Sequence, residues 1–386
     1  MAMPERAAVV PTATPAAGAD AAHMAEALAL AGRGRYTVAP NPQVGCVIVR
    51  DGRIVGRGWH MRAGEPHAEI YALREAGAAA RGATAFVTLE PCSHYGRTAP
   101  CTAALIEAGV ARVVSAMEDP NPLVSGRGFA QLRAAGVAVT NGIGETQARA
   151  LNAGFVRRMT QGRPQVTVKL AASLDGRTAL ASGESKWLTS PAAREDVHRL
   201  RAAAGAIMTG SGTVLADDPA LTVRLPPARL QDPAGGELDW RQPLRVVLDA
   251  RARCAPGARV FAGPGAAWWV TGAAAPAAPQ GVRQLALPAP AGGIELAALL
   301  QALGEAEIND VLVEAGPVLA GALLQAGLAD ELVLYLAPHL LGDTGRGLFT
   351  LPGIARMDQR LPLQIEEIRA VGPDWRITAR PLVEAG

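Results

Sequence analysis

The chain has 386 residues, 49% of them apolar, and a formal charge of +2 from 37 basic and 35 acidic side chains. That length and apolar fraction supply two packed cores and exclude a structural or wholly disordered role. The balanced charge excludes a broad electrostatic footprint for nucleic acid or an anionic membrane, and no apolar run reaches the roughly 20 residues that span a bilayer.

Four cysteines in so long a chain make no disulfide framework, so a reducing, cytoplasmic setting and small-molecule partners are expected. Residues 1–20, rich in Ala and Pro, match neither a signal nor a transit peptide and read as a disordered tail. An opening helix is expected over "AHMAEALALAGRG", capped by Asp20 and stopped by Gly32 and Gly34. Two β-rich runs around Asp51-Gly52 read as a hairpin, because that dipeptide supplies the positive φ of a tight turn. Helix and strand then alternate through "HAEIYALREAG", "ATAFVTL", "CTAALIEAG", "ARVVSAM", "GRGFAQLRAAG" and "VAVT". Such alternation implies a sheet covered on both faces, a three-layer α/β/α domain over residues 21–160.

Neither a helical nor a strand period bridges residues 141–165, and "GFVRRMTQGRP" reads as a connection. A second α/β domain is expected over 161–386. Its strands fall at "QVTVKLAASLDG", "AGAIMTG", "LRVVLD", "AAWWVTG", "NDVLVEAG" and "ELVLYLAP", and its helices at "SPAAREDVHRLRAA", "ELAALLQALG" and "GPVLAGALLQAG". The Pro-, Ala- and Gly-rich stretches 226–236 and 273–293 read as surface loops.

In the first domain His67 and Glu69 open a helix, Cys92 follows Pro91 after a strand, and Cys101 opens the next helix. One imidazole and two thiolates are the donors of a catalytic zinc with three protein ligands and an open position, which acidifies a bound water. Glu69, two residues past His67, can reach the same cavity without binding metal and pass the water's proton to a leaving amine. The chemistry is hydrolytic deamination of an amidine-like ring carbon. His94, between the cysteines, is the rival ligand, while Cys46 and Cys254 read as small buried residues. Two other readings share these ligands: a nucleic-acid-editing deaminase, which needs a basic groove and no second domain, and a zinc-stabilised scaffold, which has no use for Glu69.

Here the stretch resembles the cytidine-deaminase superfamily. Most of that superfamily separates its cysteines by two residues, whereas "PCSHYGRTAPC" separates Cys92 from Cys101 by eight. With "APNPQVGCVIV" upstream and "EDPNPLVSGRG" downstream, it is similar to the deaminase half of the bifunctional riboflavin-biosynthesis deaminase/reductases. The resemblance runs from about residue 21 to the C-terminus. It implies zinc on His67, Cys92 and Cys101, a proton shuttle at Glu69, and substrate contacts from Asn41 and His60. Pro42 holds Asn41 extended, where its amide suits either a pyrimidine edge or an ordinary turn. His60 equally suits a surface imidazole.

"VKLAASLDGRTALASGESKWLTSPAAREDVHRLRA" and "AIMTGSGTVLADDPALTVR" are similar to the reductase half, which implies a dihydrofolate-reductase-like fold and NADPH. No Gly-x-Gly-x-x-Gly turn is present; "TGSGTVLADDP" reads as a Gly-rich turn from strand to loop. "VEAGPVLAGALL" reads as a strand ending at Glu314 and a helix with Pro317 in its first turn, whose free N–H groups suit a phosphate as well as plain packing. Ala320 and Gly321 are read there as keeping the surface open.

The resemblance implies cofactor contacts from Ala171, Trp187, Thr213, Asp217 and the run Gly316, Pro317, Val318, Leu319, Ala320, Gly321 and Ala322. It implies substrate contacts from Lys169, Ser185, Arg201, Leu221, Arg224 and Glu314, with the arginines on a phosphate. Lys169 and Lys186 are the chain's two lysines, which hints that a compact ammonium is wanted in this region. Ala250, after Asp249, stands where the family commonly has a small hydroxyl residue, so one cofactor bond is in doubt. Phosphorylated pyrimidines are the expected partners, in a homo-oligomer without nucleic acid or membrane.

Overall fold

A computed structural model describes residues 15–93, 100–122, 124–226, 230, 241–272 and 275–382. The chain forms two compact units: one runs to Val38 and resumes over Pro42–Asn152, and the other takes Ala39–Asn41 and the chain from Ala153 on.

The first unit comprises helix α1 (Pro15–Ala31), strands β1 (Gly45–Arg50) and β2 (Arg53–Trp59), α2 (Ala68–Ala76), β3 (Thr84–Val87), α3 (Cys101–Glu107), β4 (Arg112–Ser115), α4 (Arg127–Ala134), β5 (Ala138–Asn141) and α5 (Glu145–Leu151). Its sheet has the order β2-β1-β3-β4-β5, antiparallel through β3 and parallel beyond. Asp51 and Gly52 make the β1-β2 turn at φ 50° and 75°, the two positive values a tight primed turn requires.

Glycines decide how closely helices approach this sheet. A Cβ on Gly45 would meet the Ala27 carbonyl and the Ala31 nitrogen of α1; one on Gly58 would meet the Ala68 carbonyl and the Ala72 nitrogen of α2. Gly58 pairs directly with Cys46, the neighbour of Gly45, so the two glycines face opposite sides of the sheet. α1 and α2 therefore cover opposite faces, which makes the expected three layers. Gly45→Ala should destabilise the fold by about 2–3 kcal/mol, because the obstacle is helix backbone that no rotamer change can move. Urea unfolding measures it, and an unchanged midpoint would show that α1 can recede.

Two expectations fail at the ends of this unit. α1 starts at Pro15, inside the stretch read as a tail, because Pro suits a first helical turn and the Ala-rich run after it is strongly helix-forming. Asp20 is thus interior to the helix instead of its cap, and its carboxylate takes both terminal nitrogens of Arg112 at 3.2 and 2.7 Å. Residues 141–165, where no period is read, hold α5 and α6 (Ala153–Gln161), and α6 occupies most of the stretch read as a connection. Each is under three turns and buries one or two residues, too few repeats for a period to show. Between them the Asn152 amide donates to the Gln43 carbonyl at 2.9 Å and accepts the Gln43 N–H at 2.7 Å. The division thus falls at Asn152/Ala153, and α6 packs with the second unit rather than the first.

The second unit continues with β6 (Gln165–Ser173), β7 (Arg177–Ala179), α7 (Pro191–Ala203), β8 (Ala206–Gly210), α8 (Ser211–Asp217), β9 (Leu244–Leu248), α9 (Arg259–Ala262), β10 (Ala267–Thr271), β11 (Val282–Ala286), α10 (Leu296–Glu305), β12 (Asp310–Glu314), α11 (Pro317–Gln325), β13 (Glu331–Ala337), β14 (Arg346–Gly347), β15 (Leu363–Val371) and β16 (Asp374–Pro381). β7 and β14 pair separately, and the other strands form one sheet in the order β11-β10-β9-β8-β12-β6-β13-β16-β15. It is parallel from β11 to β13 and antiparallel at β16 and β15.

Alternate residues of the central strands feed two cores. Met208, Val246, Val311 and Val313 pack with Leu299, Leu303 and Leu323 of α10 and α11. Ile207, Val247 and Leu312 pack on the other face with Val214, Val260 and Phe261 of α8 and α9. Each face carries its own helices, as a parallel sheet requires.

The Gly-rich turn expected after β8 is a short helix, α8, begun by Ser211. The stretch read as a loop over 273–293 contains β11, a mostly exposed edge strand without an apolar face. Most of the other expected loop lies outside the described residues. The β15-β16 hairpin was not anticipated, since "LQIEEIRAV" is exposed over most of its length and lacks a buried alternation.

Candidate active sites

His67 is the N-cap of α2, Glu69 lies in its first turn, and Cys101 is the first residue of α3. The Cys101 N–H donates to Cys92 Sγ at 3.3 Å, and the Thr102 N–H and hydroxyl both donate to the Cys92 carbonyl, at 3.2 and 3.1 Å. The start of α3 thereby fixes the Cys92 loop against it. His67 Nδ1 stands 3.6 Å from Cys92 Sγ and 3.3 Å from Cys101 Sγ, and all three ligand atoms lie within 4.8 Å of one another.

Ligands at zinc's ordinary S and N bond lengths stand about 3.6 Å apart in a tetrahedron, so the triad fits that ion. Hydrogen bonding from Cys101 and then His67 lowers the pKa of Cys92, and the same bond together with burial raises that of Cys101, so the two sulfurs titrate as a pair. Glu69 is buried, which raises its pKa, and its Oε2 has no hydrogen-bond partner among the described residues. An unsatisfied buried carboxylate oxygen beside the triad is the feature a proton shuttle requires. His94 lies outside the described residues.

His60, at the end of β2, is buried with its ring 5.4 Å from that of His67. Its Nδ1–H donates to the Pro66 carbonyl at 3.1 Å, and burial lowers its pKa, so Nε2 is an acceptor. Asn41 groups with the second unit, so of the two expected substrate contacts only His60 stands beside the triad within the first.

Glu90, two residues before Cys92, escaped the sequence reading. Its buried carboxylate accepts the backbone N–H groups of Asp119, Gly126, Gly128 and Phe129 at 2.8–3.3 Å. It ties the Pro91-Cys92 turn to the start of α4. Its position in "TLEPC", an acid at the end of an apolar strand, was the available signal.

The second unit holds a cavity of about 1040 Å³. Lys169, Ala171, Ser185, Trp187, Arg201, Thr213, Asp217, Leu221, Arg224, Glu314, Gly316, Pro317, Val318, Leu319 and Ala322 line it, as does Ala250. Ala320 and Gly321 do not. Ala320 faces the core, and a Cβ on Gly321 would meet the Thr350 carbonyl, so these small residues admit packing rather than a ligand.

Among the described residues, Lys169, Lys186, Arg194, Arg201, Arg224, Arg251, Arg253 and Arg346 line the cavity with two carboxylates, Asp217 and Glu314. Eight cations against two acids suit ligands with several phosphates. Gly212 and Gly316 have nothing within 4 Å of a virtual Cβ, which leaves backbone open to such a ligand, so the residues present fit a dinucleotide. Trp187, 73% exposed, lies under the guanidinium of Arg194 at 4.6 Å.

At one end Arg201 grips Glu314 through Nε and Nη2 at 2.5 and 2.9 Å, with Lys169 Nζ 4.0 Å from the same carboxylate. The guanidinium edge expected on a phosphate is therefore occupied by Glu314. Burial opposes ionisation there, but the charge and hydrogen bonds of Arg201 hold Glu314 down to about 2. Burial lowers the Lys169 pKa against the pull of Glu314.

Residues 18–117 match the cytidine and deoxycytidylate deaminase zinc-binding region, and residues 164–377 match the RibD C-terminal domain. The riboflavin biosynthesis protein RibD of Escherichia coli K12 is 56% identical over 92% of this chain and 97% of its own, and that of Haemophilus influenzae is 47% identical over 94% and 97%. The structure of Acinetobacter baumannii RibD superposes with a TM-score of 0.86 at 44% identity, covering 95% of this chain and all of that one. A Thermotoga maritima diaminohydroxyphosphoribosylaminopyrimidine deaminase/5-amino-6-(5-phosphoribosylamino)uracil reductase gives 0.84 at 34% identity over the same shares. With a zinc-ligand triad in one unit and a cation-lined cavity in the other, the chain belongs to the bifunctional RibD family of riboflavin-biosynthesis deaminase/reductases.

Proposed function

We propose that the first unit deaminates 2,5-diamino-6-(5-phosphoribosylamino)pyrimidin-4(3H)-one at its 2-amino group and that the second reduces the ribosyl chain of the product. The observation that carries the first step is Glu69, a buried carboxylate with an unpartnered oxygen beside His67, Cys92 and Cys101. Zinc, when bound, supplies the Lewis acidity that makes water a nucleophile near neutral pH. His67, Cys92 and Cys101 hold it, and Glu69 takes a proton from the attacking water and returns it to the amine that leaves as ammonia. Within the first unit His60, buried beside the triad, holds the pyrimidine edge.

NADPH supplies the hydride when bound. Ala171, Trp187, Thr213, Asp217 and the start of α11 hold it, with Ala320 and Gly321 acting only by shaping that helix. Lys169, Ser185, Leu221, Arg224 and the Arg201–Glu314 pair hold the ribosyl phosphate substrate. The hydride and one proton convert it to 5-amino-6-(5-phosphoribitylamino)uracil. Four free cysteines support a cytoplasmic setting, and Ile365, Ile368 and Trp375, exposed on the β15-β16 hairpin, support a homo-oligomer.

Purified protein given the diaminopyrimidine phosphate and NADPH should release ammonia and then oxidise the cofactor. Zinc chelation should stop the first and, with it, the second. Supplied deaminated intermediate should restore cofactor oxidation under chelation, and silence in both steps would end the proposal.

A further inference from the structure

We infer that His198 is a second ligand, beside Arg224, for the phosphate of the reductase substrate, and that it binds as a neutral N–H donor. The inference rests on the reading of the Arg201–Arg224 end of the cavity as the substrate's end.

Donor accounting selects His198. Arg201 gives Nε and Nη2 to Glu314 and donates from Nη1 to the Thr222 carbonyl at 3.1 Å, so its forked edge is taken by Glu314 and only the second N–H of Nη1 and of Nη2 is left. Lys169 faces the same carboxylate. Arg224 differs: Nη1 donates to Thr222 Oγ1 at 3.3 Å, and its side chain has no carboxylate partner among the described residues. One guanidinium can meet two phosphate oxygens, which leaves the third to another donor.

His198 lies on α7 three residues before Arg201, on the same helix face, and both line the cavity. The backbone N–H of Arg224 donates to His198 Nδ1 at 3.3 Å. That nitrogen is thus an acceptor, and the ring proton sits on Nε2. The same bond couples the imidazole to the residue whose guanidinium is available. Burial, and then the charges of Arg201 and Arg224, hold the His198 pKa down to about 4 against the opposing pull of Glu314, so the ring is uncharged near neutrality. An uncharged donor adds a hydrogen bond to phosphate without repelling Arg224.

The test compares 5-amino-6-(5-phosphoribosylamino)uracil with its dephosphorylated counterpart as reductase substrates. His198→Phe, which keeps a ring but no N–H, should raise KM for the phosphorylated compound about tenfold and leave kcat/KM for the other at the wild-type value. His198→Gln, which restores a donor, should recover most of the loss. Equal losses on both substrates, or none on either, would overturn the inference. Arg224→Ala separates the two levels of the argument: if it discriminates and His198→Phe does not, His198 alone is wrong. If neither discriminates, the phosphate end has been misassigned and the underlying reading falls with it.

Discussion

Glu69→Gln is expected to lower ammonia release by about 100- to 10,000-fold while zinc content and the thermal melt stay at wild-type values. The amide keeps the size of the buried side chain and leaves His67, Cys92 and Cys101 in place, but it cannot accept a proton from water and pass it on. Cys92→Ser should do the reverse, losing zinc and activity together, since it removes one of three ligands. Metal analysis beside an ammonia assay tells them apart. Glu69→Gln that keeps full turnover would remove the shuttle from the mechanism, and loss of zinc in that variant would make Glu69 a structural support for the metal.

Arg201→Ala should cost the second unit about 3–5 kcal/mol and abolish reduction, because it leaves the Glu314 carboxylate buried with Lys169, 4.0 Å away, as its remaining ion-pair partner among the described residues. Arg201→Lys should recover part of the stability but not the two-point grip, since an ammonium has no fork. The pH dependence follows from the depressed Glu314 value. A carboxylate held down to about 2 stabilises the fold fully above its ordinary value of 4.5, and that contribution fades as pH falls from there through about 2. Denaturant unfolding between pH 7 and pH 3 should show this fading in the wild type and a flatter profile in Arg201→Ala. Parallel profiles would mean that the pair carries no net stabilisation.

The deaminase site was legible in the sequence because its parts are local. His67 caps one helix and Cys101 opens another, so two short motifs fix the ligand directions before any long-range packing is known. The reductase site is assembled from β6, α7, α8, β12 and α11, and pairing across such distances leaves no mark in a linear pattern. Arg201 and Glu314 are 113 residues apart, and nothing near either shows that one occupies the other. Ala320 and Gly321 were misjudged for a related reason: a small residue on a helix can admit a ligand or a neighbouring carbonyl, and only the fold places Thr350 there. Helices α5 and α6 were missed because short elements with one or two buried residues carry no period.

The position of β6 in the second sheet sets a timetable for synthesis. It is the first strand of its sheet to leave the ribosome, yet it lies between β12 and β13, which end at Glu314 and Ala337. The β-rich centre of this unit therefore cannot close until the chain has been made through Ala337, and its long-range parallel pairings are intrinsically slow to form. The five strands of the first sheet are all available by Asn141. A nascent chain thus carries a completed deaminase sheet for many seconds while "QVTVKLAAS" waits unpaired, an apolar strand open to mispairing for that time.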